Sequence, residues 1–256
     1  MRTPYRGYAG QMAVGGGKRR GTGRSGGARA GKPPAKKGAP RTPARRPSPQ
    51  PAPSPQPPLP RGPFRLGAIP GATPGKWIDT WHDRMPAIAL DLVPLAVAEQ
   101  RTALDGGAVD AALIRLPIER EGLSVITLYD EVPVVVCAAD SHLTAADELT
   151  FADLSGEVVI TPADDVLALG VPGTQSPRFA PPETTADAIE TVAAGVGIVI
   201  VPMSLARLHH RKDVDYRPLA GAPASTVALA WRTEATTPLV DAFVGIVRGR
   251  TANSSR

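Results

Sequence analysis

Three side-chain patterns in this chain have residue types that can carry chemistry. The first is "VGGGKRRGTGRSGG", Val14 to Gly27, a glycine-rich stretch holding a lysine. A phosphate-binding loop needs G-x-x-x-x-G-K-[S/T] between a strand and a helix, so that backbone N–H groups converge on phosphate oxygens. Counting back from Gly17-Lys18 puts Met12 where the first glycine belongs, and Arg19 stands where the metal-binding hydroxyl belongs. No apolar run precedes the stretch to serve as its strand, so it is not a nucleotide site. The second pattern is the single cysteine, Cys137, inside "VPVVVCAA". One cysteine cannot close an internal disulfide, and a thiol in an apolar run reads as a small core residue rather than a nucleophile. The third is the set of four histidines, His82, His142, His209 and His210. None forms an i, i+4 pair on one helix face, so no metal ligand set is expected. The serines lack a nucleophile-elbow context and the carboxylates are scattered, so the sequence predicts no catalytic residues, no metal and no cofactor.

What is left is a question of charge. From Met1 to Gly62 the chain holds fourteen Lys or Arg and no Asp or Glu, with few large apolar side chains. Such a segment cannot bury enough surface to offset the entropy of ordering, and it is expected to be a disordered basic tail over 1–62. The remaining residues carry 15 basic against 24 acidic groups, so the net +5 of the whole chain conceals an acidic body near −9. Within the tail, Lys18, Arg19, Arg20, Arg24, Lys36, Lys37, Arg45 and Arg46 are the candidate nucleic-acid contacts. "PSPQPAPSPQPPLP", Pro47 to Pro60, is expected to extend as a polyproline-like spacer of roughly 40 Å, at about 3.1 Å per residue. The same run has the texture of an SH3 ligand. Neither an apolar signal core nor a membrane-spanning stretch is legible, which points to the cytoplasm, and Met12 offers a second initiator.

The body is long enough for one α/β domain or two small lobes. "FRLGAI" reads as a buried strand; Thr73 as N-cap and Pro74 at the first helical position open a helix with Trp77, Ile78 and Trp81 on one face. "IALDLVPLA" is a strand, and "VAEQRTALDGGAVDAALIRLP" a helix closed by Gly106-Gly107 and followed by a strand ending at Arg115. Strand, helix, strand, helix, strand implies a parallel sheet. "GLSVITLYDEVPVVVCAADSH" supplies two strands meeting near Asp130-Glu131, and a further strand begins near Val158. "TTADAIETVAAGVGIVIVP" places Ala186, Ile189, Val192 and Ala193 on one helix face, then a strand closed by Pro202. "STVALAWRT" and the helix "PLVDAFVGIVRGR" complete the chain.

Five of these segments, "RLGAIPG", "DGGAVDAALIRLP", "GLSVITLYDEVPVVVCAADSHL", "FADLSGEVVI" and "TVAAGVGIVIVP", occur in the order and approximate spacing of LysR-type effector-binding domains. The body resembles that family over residues 64–248. The resemblance implies an α/β type 2 periplasmic-binding-protein fold: two lobes joined by two crossover strands, a small ligand between them, and homodimerisation through the effector domains. It sets the domain at 63–250, with lobe I at about 63–133 plus 236–250, lobe II at about 134–235, and 251–256 as a flexible end. Two departures stand out. The basic tail lies where the family carries a winged helix-turn-helix, and Pro162 to Glu183 is short and proline-rich where the family has a longer helical passage, which alters one wall of the second lobe's pocket.

In open α/β sheets, ligands bind beyond the carboxyl ends of the strands, where helix N-termini favour anions. Thr73 and Lys76, after the first strand, meet that requirement, and they equally fit a cap and a solvated lysine. Arg115 ends its strand at the cleft edge, placed to hold an effector carboxylate or to pair with Glu119 or Asp130. Thr161 and Thr184 are candidate hydroxyl donors from the second lobe, or caps. Pro202 is expected to shape the pocket by backbone geometry. Three functions follow from these features: an effector-binding regulator of small organic anions whose tail contacts DNA or RNA non-specifically, a ligand-free interaction module, and a solute-binding protein. The third requires export or a lipid anchor, and it ranks last.

Overall fold

The computed structural model describes residues 62–249. The expectations for the basic tail, its proline spacer and residues 251–256 lie outside the described residues. Within them, the first lobe is built on five strands. They are β1 (Phe64–Ala68), β2 (Leu90–Pro94), β3 (Ala111–Arg115), β4 (Leu123–Glu131) and the late strand β8 (Ser225–Arg232), in the order β2-β1-β3-β8-β4. The expected parallel arrangement holds for β1, β2 and β3, whereas β8 runs antiparallel to both β3 and β4. The second lobe has β5 (Pro133–Ala138) at the centre of an antiparallel sheet, between β6 (Val199–Pro202) and β7 (Val214–Pro218).

Period-2 alternation decides which side chain faces which layer. In β3, Ala111 and Leu113 pack with α1 (Gly75–Arg84) and α5 (Pro238–Val247), while Ala112 and Ile114 pack on the face that carries Leu104 of α2 (Gln100–Asp105). Every residue of β3 is buried, as a central strand covered on both sides must be. The anchor of the first face is aromatic: Phe64 stacks on Trp81 with centroids 4.8 Å apart, and Phe243 closes on Phe64 at 5.1 Å. The Trp81 indole donates to the carbonyl of Ile88 at 3.0 Å, so its one polar atom is satisfied inside this cluster. In the second lobe, Val134 and Val136 face α3 (Thr185–Ala193) and α4 (Met203–Leu208), and Val135 and Cys137 face the opposite layer.

Four sequence expectations give way. Thr73 does not cap α1: Pro74 occupies the cap position, no side chain bonds there, and the helix starts one residue later. On α3 the inward face is Thr185, Ala188, Ile189 and Val192: the expected Ile189 and Val192 are kept, but Ala186 is exposed and Ala193 only half-buried, so the stripe is rotated by one residue toward the N-terminus. Val158 and Val159 make isolated bridges to Gln175 and Ile198 instead of a full strand. There Gly197, at φ +150°, lets the backbone close on Val158, because a Cβ would fall on the Val158 carbonyl oxygen. Ser225–Arg232, assigned from sequence to the second lobe, belongs to the first lobe's sheet. Strand β7 escaped the sequence reading because all five of its residues are half-buried and show no alternation.

Phe243 is the wedge between two other rings, so Phe243→Ala is expected to cost about 3–5 kcal/mol of unfolding free energy in urea titration. A loss under about 1 kcal/mol would mean that the face formed by α1 and α5 is not closely packed.

Candidate functional site

The parallel strands β1, β2 and β3 all end on one side of the first lobe, and the loops leaving them meet the second lobe there. Between the lobes lies a cavity of about 420 Å³. Pro70 follows β1 and Ala96 to Ala98 follow β2, and together they make a largely apolar wall. Arg115, the last residue of β3, is the one cation in the lining. Opposite stand Ala163 to Val166, Glu183, Thr185 and Leu205 of the second lobe.

Arg115 is held from several directions. Its side chain is only 2% exposed, and its Nη1 donates to Glu131 Oε2 at 2.8 Å and to Ser225 Oγ at 2.6 Å. The Gln100 side chain clamps the same residue's backbone, accepting from its N–H and donating to its carbonyl, both at 2.9 Å. Ser204 of α4 donates to the same Glu131 oxygen at 2.9 Å, so a chain of hydrogen bonds runs from β3 through the end of β4 into the second lobe. The Arg115 Nε and Nη2 are buried with no partner among the described residues. A guanidinium offers five N–H donors and cannot lose its charge, so burying part of that fork unpaired is costly unless another acceptor meets it. A carboxylate is the acceptor whose two oxygens match that fork.

On the far side of the Glu131–Ser204 link lies a second cavity, about 570 Å³, lined by Thr73, Tyr129, Glu131, Met203, Ser204 and Arg207 among others. Burial, with Glu131 nearby, pushes the Tyr129 phenol above its usual range. Gly71, at φ +83°, lies at the partition between the cavities, where a Cβ would collide with the Ser204 side chain.

The residues chosen from sequence therefore scatter. Arg115 lines the interlobe cavity, but its ion pair is with Glu131. Glu119 instead accepts from the backbone N–H groups of Arg120 and Glu121, and Asp130 accepts from Thr226. Thr73 lines the second cavity and is exposed. Lys76 is exposed on the first turn of α1 and lines neither cavity. Thr161, also exposed, borders only a crevice of about 10 Å³. Thr184 is the N-cap of α3, accepting from the Asp187 N–H at 3.1 Å and donating to its carboxylate at 2.7 Å. Its neighbour Thr185 is the buried hydroxyl that reaches the cavity lining, where it donates to Asp164 Oδ1 at 2.9 Å. Pro202 is buried in β6, in register with Pro133, and lines neither cavity. The sequence reading missed Gln100, Glu131, Ser204 and Ser225. Glu131 was the most accessible of them, since the junction of two strands was already legible there.

Cys137 is fully buried and its thiol is pushed up by desolvation, which disfavours the reactive thiolate. Among the described residues, no group of three or more His, Cys, Asp or Glu side chains could hold a metal ion, and no helix is long and apolar enough to cross a membrane. Thr184→Ala is expected to lower stability by about 1 kcal/mol, the cost of a lost cap. Thr185→Val keeps that cap and instead frees Asp164. Thermal denaturation of the two variants separates the roles, and equal losses would contradict the assignment.

The LysR substrate binding domain family matches residues 58–252. The Hca operon transcriptional activator HcaR of Escherichia coli (strain K12) is 25% identical over 202 residues, which is 73% of this chain and 68% of that protein. For several further regulators the chain spans 56–65% of their length. Among solved structures, the reduced form of OxyR superposes with a TM-score of 0.61 at 24% identity, covering 76% of this chain and 98% of that one. The BenM effector binding domain with its effector benzoate gives 0.60 at 20% identity, covering 75% and 95%. At these identities the structural likeness carries the fold: two lobes with a cleft between them. A family match across the whole described body, on that fold, means that the chain belongs to the LysR substrate-binding domain family.

Proposed function

We propose that this chain is the sensing part of a transcription regulator, which binds a small organic anion between its lobes and performs no catalysis. The observation that carries this reading is Arg115, a buried guanidinium with two unpaired nitrogens, Nε and Nη2, at the wall of the interlobe cavity. The BenM effector binding domain, of the same fold, was solved with the carboxylate benzoate as its effector, so a domain of this fold takes a small carboxylate. Of the other sequence candidates, Thr73 lines the neighbouring cavity, and Thr184 and Pro202 support the frame. The reading includes a cytoplasmic location and a homodimer through the effector domains. It also includes non-specific DNA or RNA contact through Lys18, Arg19, Arg20, Arg24, Lys36, Lys37, Arg45 and Arg46, since a segment of fourteen cations without an anion neutralises phosphates.

Two measurements test the reading. A panel of small carboxylates is expected to contain one that raises unfolding free energy by about 2.7 kcal/mol at 100 times its dissociation constant. Arg115→Lys, which keeps the charge for Glu131 but loses the planar fork, is expected to weaken that ligand about tenfold or more. No stabilisation across the panel would favour a ligand-free interaction module. For the tail, duplex DNA and RNA binding by the full chain is expected to fall with salt, by about 0.9 in log K per log salt for each duplex-DNA phosphate neutralised. A chain beginning at residue 62 should lose that binding. Equal binding by both chains would remove the tail from the mechanism.

A further inference from the structure

The interlobe cavity has two poles of opposite charge. The first lobe contributes Arg115, and the second contributes three carboxylates to the lining: Asp164, Asp165 and Glu183. These groups come from two loops tied together by the Ala163 N–H donating to the Pro182 carbonyl at 2.8 Å and by the Thr185 hydroxyl on Asp164. The carboxylates are not equally available. Both oxygens of Asp165 accept from the backbone, from the N–H groups of Leu167 and Ala168. Asp164 engages only Oδ1, and Glu183 accepts no hydrogen bond and forms no ion pair among the described residues. At the other pole, Arg115 already shares its charge with Glu131, and it retains two unpaired nitrogens.

A ligand bearing only a carboxylate would satisfy Arg115 and then face three like charges on the opposite wall; Asp164 and Glu183 are exposed, so solvent weakens that repulsion without reversing its sign. The α3 N-terminus offsets them only in part, because the Thr184 hydroxyl already takes the Asp187 N–H and the Asp187 carboxylate adds a further negative charge in the first turn. The acids are not gathered as a metal-binding group either. A protonated amine fits them better, since it carries three N–H donors that separate carboxylates can accept. We propose that the ligand of this cavity is a zwitterion, an amino acid or short amino-carboxylate. Its carboxylate sits on Arg115, its ammonium on Asp164 and Glu183, and an apolar body lies against Ala96, Val97 and Leu205. This rests on the reading that the cavity takes an anion through Arg115, and it adds the second charge.

The test is calorimetric titration of the full chain at neutral pH with the standard amino acids and with matched triplets. Leucine is compared with 4-methylpentanoate and 3-methylbutylamine, and phenylalanine with 3-phenylpropanoate and 2-phenylethylamine. The expected result is an amino acid that binds at least tenfold tighter than the compounds lacking either its amine or its carboxylate. In Asp164→Asn/Glu183→Gln that amino acid should lose at least tenfold, while its deaminated counterpart binds as well as before or better. Glu183→Gln alone, at an exposed position, repeats the comparison should the double variant fold poorly. Deaminated acids that bind as tightly as amino acids, with the acid variants silent, would overturn the zwitterion and leave the anion reading standing. No binding by any carboxylate or amino acid would overturn both.

Discussion

A guanidinium buried at the meeting point of two lobes needs acceptors for its N–H groups, and the arrangement around Arg115 follows from meeting that need in part. One nitrogen is supplied by Glu131 and Ser225, residues from the ends of β4 and β8 where the chain passes between lobes. Breaking a buried pair of this kind costs several kcal/mol because one charge is left without a partner, so the ends of β3, β4 and β8 cannot separate cheaply. The remainder of the fork, Nε and Nη2, stays buried without a partner beside the cavity wall. The same residue holds the frame and lines the interlobe cavity.

The two sheets make this placement possible. β3 is central, with a core layer on each face, so its last residue arrives at the cleft already enclosed by protein. Gln100, at the first turn of α2, clamps the backbone of Arg115 and thereby sets the strand's end in register with the loop after β2. Ser204 reaches Glu131 from the second lobe, and the absence of a side chain at Gly71 allows α4 to approach that closely. Because one Glu131 oxygen serves both Arg115 and Ser204, a ligand that draws on Arg115 acts on a group shared with the other lobe.

The second lobe contributes differently. Most of its cavity residues, Ala163 to Val166 and Glu183, sit on loops of a proline-rich stretch, while Thr185 opens α3 and Leu205 lies on α4. Loops carry specificity where the scaffold carries the frame, and here the scaffold offers one cation while the loops offer carboxylates. The opposite charges on the two walls come from separate lobes, each with its own core.

The sequence by itself determined most of the strands and helices. The runs at β1, β3, β5 and β8 were legible because burial on both faces demands continuous apolar residues, and α5 showed its stripe at helical spacing. It also singled out Arg115, since a cation ending a buried strand is conspicuous. It could not choose between adjacent hydroxyls: Thr184 and Thr185 are chemically alike, and only the turn at the start of α3 decides that the first caps and the second is buried. Nor could it find β7, whose half-buried residues carry no period, or place β8, because sheet membership depends on which distant strand offers the better pairing. The partner of Arg115 was a tertiary decision as well. Glu119, Asp130 and Glu131 are equivalent acids on paper, and the alternation of β4 with the path into β5 is what turns Glu131 alone toward the guanidinium.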